Sequence, residues 1–114
     1  MKLVDQDIDW HDGNLVDIHV NGLSAKGQEI RLYLDLYPGD DLDGARRRYC
    51  CVGKNLKRVL VSGDIPRLTG NSKSGNIDFM RMEFTDDTEI LILSLFGGVI
   101  EAEAAVFQMA EVKK

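Results

Sequence analysis

Apolar and polar residues alternate along most of this chain with a period of two, which is the repeat of an extended strand with one face buried. The segment EIRLYLDLY at 29–37 shows it best: Ile30, Leu32, Leu34 and Leu36 fall on one face, and Glu29, Arg31, Tyr33, Asp35 and Tyr37 on the other. Before it, NLVDIHVNG at 14–22 sets Val16, Ile18 and Val20 against Leu15, Asp17 and His19. The glycine-bounded GLSAKGQ lies between them, so the two segments are expected to pair as a hairpin. ARRRYCCVG at 45–53 and NLKRVLVSG at 55–63 are two further strand candidates, set off from the first pair by the turn cluster PGDDLDG at 38–44. IDFMRMEFT at 77–85 alternates again, with Phe79, Arg81 and Glu83 opposite Met80, Met82 and Phe84. TEILILSLF at 88–96 is apolar on both faces and reads as a central strand.

The glycine pair 97–98 reads as a two-residue hairpin turn. VIEAEAAVFQMAEV after it favours helix by its alanines and glutamates. Yet Ile100, Ala102, Ala104 and Val106 alternate with Glu101 and Glu103, which favours strand after a tight turn. The reading that follows is all-β: about seven antiparallel strands in a compact sandwich or partly open barrel. At 114 residues the chain has the length of one domain, and residues 1–114 are taken as a single one. Eleven glycines against two prolines suit many tight turns.

Charge changes this picture by being segregated. Residues 1–43 hold 3 basic and 10 acidic side chains, residues 44–81 hold 9 and 2, and residues 82–114 hold 2 and 7. Neighbouring strands of complementary charge would explain this, as would a basic face offered to an acidic partner. The start MKLVDQDIDW has no apolar run of the length a signal peptide needs, and the longest apolar stretch, ILILSLFGGVI at 90–100, is far short of a membrane span. The adjacent Cys50 and Cys51 point to opposite faces in a strand, so they are expected to be reduced thiols in a cytoplasmic protein.

Candidate chemistry is sparse. DQDIDWHDGN at 5–14 holds four aspartates, a histidine and the only tryptophan. Counted as a calcium loop from Asp5, it places Trp10 where glycine must turn and Val16 where the bidentate carboxylate belongs. The chain has two histidines, His11 and His19, too few for a three-histidine zinc site. The stretch therefore reads as a polar lead-in to the first strand. Trp10 would be its anchor, and His11 or Asp12 would bond backbone amides. GNSKSGN at 70–76 has the glycine spacing of a Walker A loop, but Asn76 and Ile77 stand where lysine and serine or threonine are needed. Cys50 follows three arginines that would activate a thiol if they lay near it, without an adjacent base. Strand geometry splits Arg46 and Arg48 from Arg47 and Tyr49, so RRRY forms no three-arginine patch. The net charge of −5 also opposes nucleic-acid binding.

The order of WHDGNL, SGDIPRLTGNSKSGNIDF and FGGVIEAEA along the chain resembles small uncharacterised bacterial all-β proteins. These carry an N-terminal HD and a later GNI at a strand start, and some proteins of this look are thought to be immunity partners of secreted toxins. The resemblance implies a sheet fold and no established chemistry, and it marks His11, Asp12, Asp64, Gly75 and Asn76. Two functions follow as expectations. The first is a non-enzymatic binding protein for another protein or for a second copy of itself, with Tyr33, Tyr37, Arg47 and Tyr49 as anchors. The alternative is a small metal-assisted hydrolase or isomerase using His11, Asp12 and Asp64. The first reading implies no cofactor, no resident metal and no membrane partner.

Overall fold

In the computed structural model, residues 8–22, 27–38, 45–69 and 73–112 are described, the side chains of Ile65 and Ser74 excepted. Asp5, Asp7, most of the PGDDLDG turn and parts of the loops at 22–28 and 63–76 lie outside them. Eight strands form: β1 (Ile8–Asn21), β2 (Glu29–Pro38), β3 (Arg47–Lys54), β4 (Arg58–Gly63), β5 (Ile77–Phe84), β6 (Glu89–Leu95), β7 (Gly98–Ala104) and β8 (Val106–Glu111). A one-turn helix α1 (Ile65–Leu68) and a 3-10 turn (Lys73–Gly75) separate β4 from β5. The strands make two antiparallel sheets of four, in the orders β1-β2-β3-β8 and β4-β7-β6-β5. The expected all-β class holds, with eight strands in place of about seven.

The inner faces of both sheets supply one core. Ile30, Leu32, Leu34 and Leu36 of β2 are fully buried, as the alternation requires, and meet Leu91 and Leu93 of β6 and Ile100, Ala102 and Ala104 of β7. The expected central strand is central, for β6 lies between β7 and β5. The expected hairpin of the first two strands also forms, β1 pairing with β2.

The two sheets are joined by one bent ribbon. β3 pairs with β8, and β4 with β7, in a nearly continuous register from Tyr49↔Glu111 to Gly63↔Gly98. The ribbon turns its corner at residues 55–57 opposite Ala105, where Ala105 N–H donates to Lys54 O at 2.9 Å and Lys57 N–H to Glu103 O at 2.7 Å. Asn55 sits at φ 54° in that corner, a region asparagine tolerates better than most residues. The segment 99–112 is thus two strands in different sheets, and no helix.

Three details of phase differ from the sequence reading. Leu15, placed on the polar face, is fully buried, because the β1–β2 register shifts between Leu15 and Asp17. An extra residue in one strand reverses which side its successors face. The β6–β7 turn is Phe96-Gly97, with Gly98 already paired to Leu95. A Cβ on Gly98 would lie 2.0 Å from Ser62 O, so this glycine serves close strand approach and the turn falls one residue earlier. Finally, Phe107 is buried where the alternation chose Val106, a slip that occurs at the ribbon corner.

Candidate functional site

The aspartate-rich stretch is the seam where the free edges of the two sheets meet. The β1–β2 register breaks between Asp9 and Asn14. Asp12 there adopts φ 67°, a left-handed geometry that aspartate accepts with its short polar side chain. The break swings β1 towards β5, where Asn14 and Asn76 form an isolated antiparallel bridge and Asn14 Nδ2 donates to Asn76 Oδ1 at 2.5 Å. β5 has its own bulge at Asp78, between Ile77 and Phe79. A bulge leaves the extra residue outside the ladder, and His11 Nδ1 bonds the Asp78 carbonyl oxygen at 3.0 Å. A carbonyl only accepts, so Nδ1 carries the proton. Trp10 packs against the core from this break, as expected of an anchor, while Asp9 rather than His11 or Asp12 takes a backbone amide, that of His11, at 3.1 Å.

His11 and Asp12 lie side by side, Nε2 to Oδ1 3.6 Å, with both side chains more than half exposed. The Asp78 carbonyl bond, and then the charge of Asp12, raise the His11 pKa above its usual 6.5. Asp64 is exposed at the start of α1, where its backbone oxygen accepts from Arg67 and Leu68 N–H and its carboxylate stands 3.6 Å from Arg67 Nε. Among the described residues no three His, Cys, Asp or Glu side chains are grouped to hold a metal ion. Of the positions marked by the resemblance, Gly75 and Asn76 are thereby accounted for by packing. Asn76 bridges the seam, and a Cβ on Gly75 would lie 2.1 Å from Leu68 O.

Four arginines of the basic middle third are spent on their neighbours. Arg48 forks onto Asp35 of β2 (Nε–Oδ1 2.5 Å), and Arg58 bridges Glu101 and Glu103 of β7 at 2.7 and 3.0 Å. Arg47 reaches Glu111 of β8 at 3.5 Å. Arg46 instead stacks over the Tyr37 ring, 5.4 Å from its centroid, and donates to Asp12 O. Segregated charge in the sequence is complementary charge between adjacent strands in space.

A second feature is a groove of about 390 Å³ on the outer face of the first sheet. Arg31, Cys50, Val52, Lys54, Gln108 and Ala110 line it, from β2, β3 and β8. Cross-strand register explains its shape, since Tyr33, Cys50 and Ala110 align in one row and Arg31, Val52 and Gln108 in the next. Small residues make the floor and long polar ones the rim. Lys54 meets no carboxylate among the described residues, whereas Arg31 is paired with Glu29. Tyr33 stands beside Arg31 and Cys50 and holds His19 edge-on at 5.4 Å. Burial is the main cause that lifts the Cys50 pKa above its usual 9.0 and carries that of Cys51 to about 12. Both are therefore protonated near neutrality and poor nucleophiles.

The anchors expected from sequence are thus dispersed. Tyr33 borders the groove, Tyr37 lies under Arg46, and Arg47 is exposed at the mouth of β3. Tyr49 is 6% exposed and belongs to the core, so it is no surface anchor. It shares the inward phase of Cys51 and Gly53, a phase that three consecutive arginines before it could not reveal. Sequence reasoning also missed the groove. Cys50, Val52 and Lys54 could have been found by alternation, but Gln108 and Ala110 were hidden by the slip at Ala105. No family model, curated protein or solved structure matches this chain. No helix among the described residues is long and apolar enough to cross a membrane.

Proposed function

We propose that this domain is a non-enzymatic binding module that docks another protein on the open face of β2, β3 and β8. The observation that carries the reading is the groove: an apolar floor of Cys50, Val52 and Ala110 beneath the cation of Lys54. Such a surface suits a partner segment with a small apolar side chain flanked by a carboxylate. Tyr33 at its border supplies the aromatic contact that protein interfaces favour. The bond of His11 to the Asp78 carbonyl at the seam accounts for the place of His11 beside Asp12.

The test is capture of partners on immobilised protein, wild type against Val52→Arg and Lys54→Glu. The expected result is one stoichiometric protein that Val52→Arg loses and Lys54→Glu weakens at least tenfold, with both variants melting as wild type does. Equal capture by Val52→Arg would overturn the reading. So would hydrolytic activity dependent on Mn²⁺, Zn²⁺ or Ca²⁺, accompanied by a raised melting temperature on adding the same ion.

A further inference from the structure

The four sheet edges are guarded unequally. β1 breaks register twice and crosses to β5, β5 carries the Asp78 bulge, and in β8 the Phe107 N–H is taken by the Glu89 carboxylate at 2.9 Å. β4, the outer strand of the second sheet, has none of these devices. Its register with β7 is unbroken from Arg58 to Gly63, and it contains no proline. Its one charge, Arg58, is turned back onto Glu101 and Glu103. Apolar side chains stand open on both of its faces: Leu60 on the outer face is 53% exposed and Val59 on the inner face 36%. An apolar edge strand of continuous register that no described residue covers is a template for another strand.

We propose that β4 pairs antiparallel with β4 of a second copy of this chain, about a two-fold axis through Leu60, to make one continuous eight-stranded sheet. The sequence of β4 reads well against itself in this register. Leu60 meets Leu60, Val59 meets Val61 of the second copy, and Arg58 meets Ser62. The like-facing pairs are apolar on apolar, and no like charges oppose each other, which are the terms that decide cross-strand pairing. At the rim, Lys57 and Arg58 of one copy come beside Ser62, Gly63 and Asp64 of the other, so the charges that approach are opposite in sign. A two-fold contact of this kind uses the same patch twice and closes without forming a filament. The proposal stands apart from the groove, which lies on the other sheet.

Sedimentation equilibrium to roughly 100 µM reads the assembly. Wild type is expected at twice the monomer mass of 12.8 kDa, and Leu60→Lys at the monomer mass, its association weakened at least tenfold. Phe79→Lys is the control. It alters an exposed residue on the same outer face at the opposite edge, β5, and is expected to remain dimeric. In a Cys50→Ala background, Leu60→Cys should form an intermolecular disulfide on mild oxidation and Ser62→Cys should not. Residues directly opposed in an antiparallel pair have the Cα spacing a disulfide spans. A monomeric wild type overturns the proposal. Equal loss of the dimer in Phe79→Lys overturns it in favour of stacked faces. Equal cross-linking at position 62 overturns the register. A monomer whose Leu60→Lys variant loses a different captured protein overturns the second copy as occupant.

Discussion

At Gly75 an added methyl would collide with a backbone oxygen, that of Leu68, which has no rotamer through which to yield. Gly75→Ala is therefore expected to destabilise by about 1–3 kcal/mol, and to lower the melting temperature by roughly 5–15 °C in calorimetry. His11 argues in the other direction, as an exposed residue whose role is tuned by pH. Its folded pKa is raised, first by the Asp78 carbonyl and then by Asp12. Its contribution is thus fully present below the unfolded value near 6.5 and fades as pH rises through the higher folded value. NMR titration should place the His11 midpoint above 6.5. The melting temperature of wild type minus that of His11→Gln should shrink between about pH 5 and pH 8. Glu103 has the opposite sign. Thr88 and then Arg58 lower its pKa, so its contribution is present above the unfolded carboxyl value and is lost as pH falls through the lower folded one.

Strand existence was legible in this sequence, strand phase only where no bulge or bend intervenes, and the difference has a local cause. β2 needs no context, since four leucine or isoleucine residues alternate with polar ones over nine positions and only one facing buries them. Alternation in 99–112 is equally regular up to Ala104, but the ribbon bends at Ala105 and the count of two is broken there. Nothing local announces that bend, because the residues are alanines and the constraint lies in Lys54 and Lys57 across the ribbon. The same holds at Val16 and Asp78, where bulges are set by the seam. The phase now assigned to β8 can be tested directly. Phe107→Ala should cost about 3–5 kcal/mol in denaturant unfolding, and Val106→Ala, at a half-buried position, less than about 1.5 kcal/mol. Equal costs would restore the phase that the alternation suggested. The groove shares this history, since its β3 wall follows from simple alternation and its β8 wall appears only after the slip.

For the molecule as a whole, the two sheets are held together by two unlike joints. One is the covalent ribbon, β3 running into β4 and β7 into β8, which cannot part without losing the ladders of both sheets. The other is the seam of β1 and β5, where the described residues form one isolated backbone bridge at Asn14–Asn76 with the Asn14 side-chain bond and the His11–Asp78 contact beside it. Buried apolar residues flank it, Leu15 on one side and Ile77 on the other, so the seam is closed mainly by packing, and its polar bonds fix where the strands meet. A joint with few hydrogen bonds opens at a lower free energy than a continuous ladder. Asn76→Ala takes away the acceptor of Asn14 Nδ2 inside the structure, which costs about 1–3 kcal/mol. Because that loss falls on one joint, it should not spread evenly. In hydrogen exchange, the amides of residues 14–16 and 76–78 should lose protection in Asn76→Ala by tenfold or more, while those of β3 and β8 in the ribbon keep most of theirs. Uniform loss across both sheets would mean that seam and ribbon open together. The sandwich would then be one cooperative unit in which the aspartate-rich stretch is no weaker than the rest.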